Sequence, residues 1–175
     1  MSDRARIACL PAPGRLVAVS LVLSCVTSPA RAQVEVDSRT AAKVFSTEGR
    51  ELAAAGNYEQ ACPKFERSVN LEPGVGTRFE LADCWEHLGR TASAFKLFRD
   101  VADVAKEAGD ESLERDARAR VTALEPKLSR VVVTVEHPAP GIEVRRGSSA
   151  LPEKFWGTPL PVDPGHTEVS AAAPG

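Results

Sequence analysis

The sequence predicts an α+β chain with two parts, a short helical solenoid followed by a small β domain. Apolar and turn residues recur with a period of 33 residues within residues 39–108, and residues 110–128 continue as one more amphipathic helix. From residue 129 onward, β-branched runs alternate with Pro and Gly, which is the pattern of short strands and tight turns. These observations predict two helical hairpins, a capping helix and a small all-β module, in that order.

The first 32 residues are predicted to be a secretory signal peptide. A basic lead precedes the apolar stretch 16–26, which is too short to span a bilayer. Ala30-Arg31-Ala32 places small residues at the −3 and −1 positions of a cleavage site before Gln33. The sequence therefore predicts export to the periplasm or the cell envelope, with residues 33–38 as a short linker in front of the helices.

Lipidation is a second interpretation of the same segment. Val22-Leu23-Ser24-Cys25 resembles a bacterial lipobox, in which the cysteine carries lipid and would hold the protein on a membrane. Leu23 is unusual at its place in that motif, so simple cleavage is preferred. Cleavage removes Cys9 and Cys25 and leaves Cys62 and Cys84 in a compartment where disulfides persist.

The charge of the mature chain argues against a nucleic-acid partner. Residues 1–32 hold four of the 22 basic and one of the 24 acidic side chains, so 18 and 23 remain, for a net charge of −5. Arg145-Arg146 is the only basic pair of note in that remainder. The concentrated positive surface that nucleic-acid binding requires is therefore not predicted.

The 33-residue period pairs turn glycines and core residues. The matched pairs are Gly56 with Gly89, Ala61 with Ala94, and Phe65 with Phe98. Asn57 and Thr91 follow the glycines and are predicted to cap the next helices, since their side chains can accept from free amide groups. A shared period with matched turns favours a repeat over an ordinary helical bundle.

The motif A-x-x-x-F, followed eight residues later by Pro73, is similar to the tetratricopeptide repeat (TPR). The resemblance covers residues 42 to about 108 and implies antiparallel helix pairs, in which small residues allow close approach and large residues fill the seam. Glu48, Arg78 and Lys106 depart from the pattern, and the second repeat is the more degenerate. The matching positions are Phe45, Gly49, Leu52, Ala61, Phe65, Leu81, Ala82, Trp85, Ala94 and Phe98.

Residues 110–128 are predicted to form a helix that closes the array. Asp110 is its expected N-cap, and one apolar stripe comprises Leu113, Ala117, Val121, Leu124 and Leu128. A terminal helix with one polar side is the usual cap of a solenoid. Its charged residues, which include Arg115, Arg118 and Arg120, are predicted to face solvent.

The second helix of the first repeat carries Cys62 beside Pro63, and the missing N–H of that proline predicts a bend. The TPR resemblance makes this helix a neighbour of the one that carries Cys84, which implies a disulfide closing a loop of about 22 residues. A metal or redox site that uses Cys62, Cys84 and His87 is the alternative. The disulfide is preferred because there is no C-x-x-C motif and no evident fourth ligand.

Residues 129–175 are predicted to form strands at 130–136, 142–146, 159–162 and 166–172. The segments 140–144, 157–160 and 164–166 resemble the PEGA domain, a small β-sandwich found on bacterial envelope proteins. The family continues past the final Ala-Pro-Gly into a closing strand. The resemblance therefore implies either that the chain is a fragment or that its open edge pairs with another chain, and a fragment is preferred.

No nucleophile, base and orienting group stand together in the sequence, so a non-enzymatic protein without metal or cofactor is predicted. The TPR resemblance implies a groove along the first helices that receives a protein or peptide partner, with Arg39, Lys43, Arg50, Arg78 and Glu86 as candidate contacts. The main prediction is an envelope scaffold. The alternative is a structural protein whose β domain binds wall material or polysaccharide, with the helices as a spacer.

Overall fold

The computed structural model describes residues 30–174, which form five α-helices followed by short strands. The helices are α1 (Ala30–Ala54), α2 (Tyr58–Leu71), α3 (Val75–His87), α4 (Thr91–Ala108) and α5 (Glu111–Leu124). Each helix packs against the next one along the chain, and the strands come after them. The predicted α+β composition is therefore confirmed.

The N-terminal boundary differs from the predicted one. Helix α1 begins at Ala30 and includes residues 33–38, which the sequence predicted to be a linker. No Gly or Pro occurs between Pro29 and Gly49, so nothing in the chain forces the helix to start later. Apart from residues 30–32, the predicted signal peptide lies outside the described residues, as do Cys9 and Cys25. Within the described part, no helix combines the length and apolar character needed to cross a bilayer.

The sequence period corresponds to a repeated turn. Gly56 and Gly89 end α1 and α3 in the left-handed region, with φ of 77° and 73°. The amide of Asn57 donates to the Leu52 carbonyl at 2.9 Å, and the amide of Arg90 donates to the Trp85 carbonyl at 2.9 Å. These six-residue closures are Schellman motifs, which glycine favours because it has no Cβ.

The predicted helix caps are only partly correct. The Asp110 carboxylate accepts from the Leu113 amide at 3.0 Å, as predicted. Within residues 30–174, however, Asn57 makes no capping bond through its side chain. Helix α4 begins at Thr91 itself, with Arg90 at the N-cap position. Thr91 therefore cannot cap this helix, and its first amides find another acceptor.

That acceptor is Asp163, which lies beyond the last predicted helix. Its Oδ1 accepts from the amides of Ala92 and Ser93 at 2.8 and 2.9 Å, and its Oδ2 accepts from the Ser93 hydroxyl at 2.5 Å. Arg90 lies 3.8 Å from the same carboxylate. A residue of the β segment thus supplies the N-cap of α4 and joins the two parts of the chain.

The helical core repeats the buried positions of the sequence period. Ala61 and Ala94 are fully buried, as are Phe65 and Phe98 to within 2% exposure. Leu81 and Ala82 are buried between them, and Gly49 is buried against Phe65. Leu52 and Trp85 are half-buried at the edges of these clusters. Phe45 is also half-buried, and Arg67 and Lys64 cover its ring at 4.7 and 5.5 Å.

We expect Gly49→Ala to destabilise the protein by about 1–3 kcal/mol, as overpacked cores do. A Cβ at Gly49 would lie 2.8 Å from Cε1 of Phe65, whose ring is too buried to move aside. Gly76, in α3, is the matched control because a Cβ there meets nothing within 4 Å. Gly76→Ala should instead stabilise by up to about 1 kcal/mol through helix propensity. Urea unfolding measures both, and stabilisation by both substitutions would contradict the close contact.

The strands form two small antiparallel sheets. Strand β1 (Ser129–Val132) pairs with β4 (Pro159–Val162), while β2 (Glu143–Arg146) lies between β3 (Ser149–Ala150) and β5 (Val169–Ala172). Strand β4 matches its predicted bounds, and β3 was not predicted. Strand β1 ends at Val132 rather than 136, and just beyond it the Gly157 amide donates to the Val133 carbonyl at 2.9 Å.

Candidate functional site: a groove along α1, α3 and α5

Cys62 and Cys84 form a disulfide that joins α2 to α3. Cys62 and Cys84 are bonded with their Cα atoms 5.6 Å apart, and both side chains are buried. The predicted pairing is confirmed, and α2 continues through Pro63. Because both sulfurs are engaged, neither is a thiolate ligand for the alternative metal site. In the part of the chain that the structure describes, no three His, Cys, Asp or Glu residues are grouped to hold a metal ion.

An ion pair connects α1 to α3. The Arg50 guanidinium donates to Glu80 through Nε at 2.5 Å and through Nη2 at 3.1 Å. This hydrogen bond raises the pKa of Arg50 above its ordinary value, with a smaller contribution from the charge of Glu80. Because the pKa of Arg50 is raised in the folded protein, the stability that the ion pair contributes is present at neutral pH and is lost only at strongly alkaline pH. The pair is therefore intact throughout the neutral range.

A second ionic contact connects α3 to α5. Arg120 bonds Asp83 and lies 3.5 Å from Oε2 of Glu86, while its guanidinium stands 5.5 Å from the centre of the Phe98 ring. Arg120 was predicted to be one of several solvated charges on the last helix, and that prediction is wrong. Two acids one turn apart on α3 attract it inward. Oε2 of Glu86 is buried and has no hydrogen-bond partner within residues 30–174.

A hollow of about 300 Å³ opens between α1 and α3, and α2 also contributes to its lining. Its apolar lining comes from Ala53, Phe65 and Phe79, and its polar edge comes from Arg50, Tyr58, Glu80 and Asp83. Tyr58 is held in place by His87, whose ring stacks on it at 4.0 Å and lies 3.6 Å from the Asp83 carboxylate. We refer to the hollow together with Glu86 and Arg120 as the groove.

The structure gathers only some of the five predicted contact residues. Arg50 and Glu86 belong to the groove. Arg39 lies toward the far end of α1, 3.6 Å from Glu72 after α2. Lys43 is exposed on α1 and Arg78 is half-buried on α3, and neither lines the hollow.

Sequence reasoning missed six groove residues, namely Ala53, Tyr58, Phe79, Glu80, Asp83 and Arg120. One signal was available, because Asp83 follows Arg50 by the 33-residue period and therefore occupies the same helix position. Applying the period to the polar positions as well as to the core would have placed both residues on one side.

The comparisons with known proteins add no assignment. Neither any family model nor any curated protein matches this sequence. Chemically, the groove combines an apolar hollow, which can receive a side chain, with fixed charges that can orient a backbone or a charged neighbour.

Proposed function

We propose that the protein is an exported, non-catalytic scaffold of the bacterial cell envelope, built from two TPR hairpins, the cap α5 and a PEGA-like β domain. The recurring Schellman turns at Gly56 and Gly89 support the repeat, since both helix pairs reverse direction in the same way. The Cys62–Cys84 disulfide supports export, because such bonds persist in oxidising compartments.

The hollow between α1 and α3 is the observation that carries the binding role. It lies on the first helices of both hairpins, where the proposed TPR arrangement receives a peptide or helix. Its apolar lining can accept one side chain. The hydrogen-bonded Arg50–Glu80 pair forms one polar side of the hollow. Burial of one apolar side chain contributes about 1.5–3 kcal/mol, which is appropriate to an anchor within a longer contact.

The charges of the groove indicate what the partner segment carries. Three acids, Glu80, Asp83 and Glu86, face two cations, Arg50 and Arg120. Oε2 of Glu86 is buried beside Arg120, so it adds to the negative charge of the groove without being exposed to the partner. The groove therefore fits a protein segment with an apolar anchor and a nearby lysine or arginine.

Site-specific cross-linking tests this proposal in the full chain. A photo-cross-linking residue at position 53, in the hollow, should capture a discrete envelope protein when the protein is irradiated in its own compartment. The same residue at Gln60, exposed on α2, is the control and should not. A peptide from the captured region should then bind the unmodified chain and lose about tenfold or more in affinity on Ala53→Trp, which fills the hollow, but not on Gln60→Trp.

Two results would contradict the groove. One is equal cross-linking from positions 53 and 60. The other is the absence of any protein adduct, combined with sedimentation of the full chain on purified wall material that Ala53→Trp leaves unchanged. The second result would favour the alternative function, in which the β domain binds the wall and the helices serve as a spacer.

A further inference from the structure

A larger cleft lies on another part of the molecule, between α4 and strand β4. Its volume is about 700 Å³, within the range of small-ligand sites in proteins. Lys96 and Arg99 line it from α4, and Arg146 and His166 line it from the β segment. The cleft shares no lining residue with the groove, so its ligand is independent of the proposed partner.

The cations of this cleft have no carboxylate partner. Lys96, Arg99 and Arg146 form no ion pair with any acid in residues 30–174. Three unpaired cations thus converge on one cavity in a chain whose mature net charge is negative. Such convergence creates a positive potential that an anion can neutralise.

The acids at the cleft do not cancel this charge. Asp163 accepts three hydrogen bonds as the cap of α4, and its charge is offset by Arg90, which lies 3.8 Å away and does not line the cleft. Asp100 is the other acid in the lining, and it has no ion pair in the described chain. Three cations therefore stand against one uncommitted carboxylate.

The guanidinium of Arg146 is fixed in position by one hydrogen bond and keeps its other donors. Its Nη1 donates to the Pro161 carbonyl at 3.2 Å, which fixes the half-buried guanidinium against β4. A guanidinium has five N–H donors in a planar fork, so one such bond leaves donors free for an oxyanion. Fixing the guanidinium beforehand reduces the entropy lost on binding.

We propose that this cleft binds an oxyanion-bearing ligand of small oligosaccharide size, either a carboxylated saccharide or a phosphate ester. Lys96, Arg99 and Arg146 hold the oxyanions, and His166 lies at the edge as a further donor. Phe95, Leu160 and Pro161 provide apolar surface for the uncharged part of the ligand. Carboxylate and phosphate both accept charge-assisted hydrogen bonds from these cations, so the experiment distinguishes the two sources.

Isothermal titration calorimetry of the full chain from Gln33, with three probes, tests the site. The probes are a trimer of galacturonate, glycerol 3-phosphate, and a neutral glucose trimer. One anionic probe should bind saturably, and the neutral trimer should not. The double substitution Lys96→Gln/Arg99→Gln should weaken that binding about tenfold or more, since it removes two charge-assisted contacts. Affinity should also fall with added salt.

The matched control is Lys106→Gln/Lys127→Gln, which changes the net charge equally at two exposed positions outside the cleft. It should leave the affinity within about twofold of the unmodified chain. Equal weakening by both double substitutions would show unspecific attraction and overturn the proposal. Failure of both anionic probes to bind saturably at millimolar concentration would overturn it as well.

Discussion

Phe98→Ala is expected to remove about 3–5 kcal/mol from the free energy of unfolding, the largest effect of any single substitution considered. Phe98 is fully buried among Ala82, Ala94 and Leu124, which come from α3, α4 and α5. The Phe79 ring meets it edge-on at 5.1 Å. Truncation therefore opens a cavity where three helices meet and removes the aromatic contact. Urea unfolding followed by circular dichroism measures the loss.

Two further variants keep this prediction testable if Phe98→Ala does not fold. Phe98→Leu retains most of the volume and should show a smaller loss in the same direction. Phe155→Ala removes an identical side chain at a site that is 40% exposed, and should change stability by less than about 1 kcal/mol. Similar losses at positions 98 and 155 would mean that Phe98 does not organise the core.

Removal of the disulfide is expected to have the second largest effect. The double substitution Cys62→Ala/Cys84→Ala should lower the free energy of unfolding by roughly 3 kcal/mol, because a closed loop of this size restricts the unfolded chain. The two cysteines are 22 residues apart in sequence, and their bond joins the two hairpins across α2 and α3. Thermal unfolding under non-reducing conditions measures the effect.

A reductant provides the control for this experiment. Dithiothreitol should bring the unmodified chain close to the stability of the double variant and should not alter the variant itself. If the reductant destabilised both proteins equally, or if neither treatment changed the unfolding of the unmodified chain, the bond would not support the fold.

The helical part was predictable because its information is local and periodic. Turn glycines such as Gly56 and Gly89 and core positions such as Phe65 and Phe98 recur at a fixed spacing, and each has a direct physical cause in backbone conformation or burial. The disulfide followed once the resemblance made two helices neighbours. The start of α1 was misplaced, because nothing in the chain fixes it, and the side-chain caps expected at Asn57 and Thr91 were wrong.

The groove and the cleft were less predictable because they depend on contacts between distant segments. In the sequence, Arg120 is one of several charges on a single helix. Only the packing of α5 beside α3 brings it to Asp83 and Glu86. Asp163 follows an ordinary strand and carries no motif that marks it as the cap of a helix about 70 residues earlier. Residue spacing within one element does not encode such pairs.

The Asp163 cap has a consequence for the order in which the molecule matures. A polypeptide is synthesised from its N-terminus, so α4 is complete long before residue 163 leaves the ribosome. Until then the amides of Ala92 and Ser93 are bonded to water, and the first turn of α4 frays more readily. The β segment, which is synthesised after α4, therefore completes an earlier helix and couples the unfolding of the helices to its own unfolding.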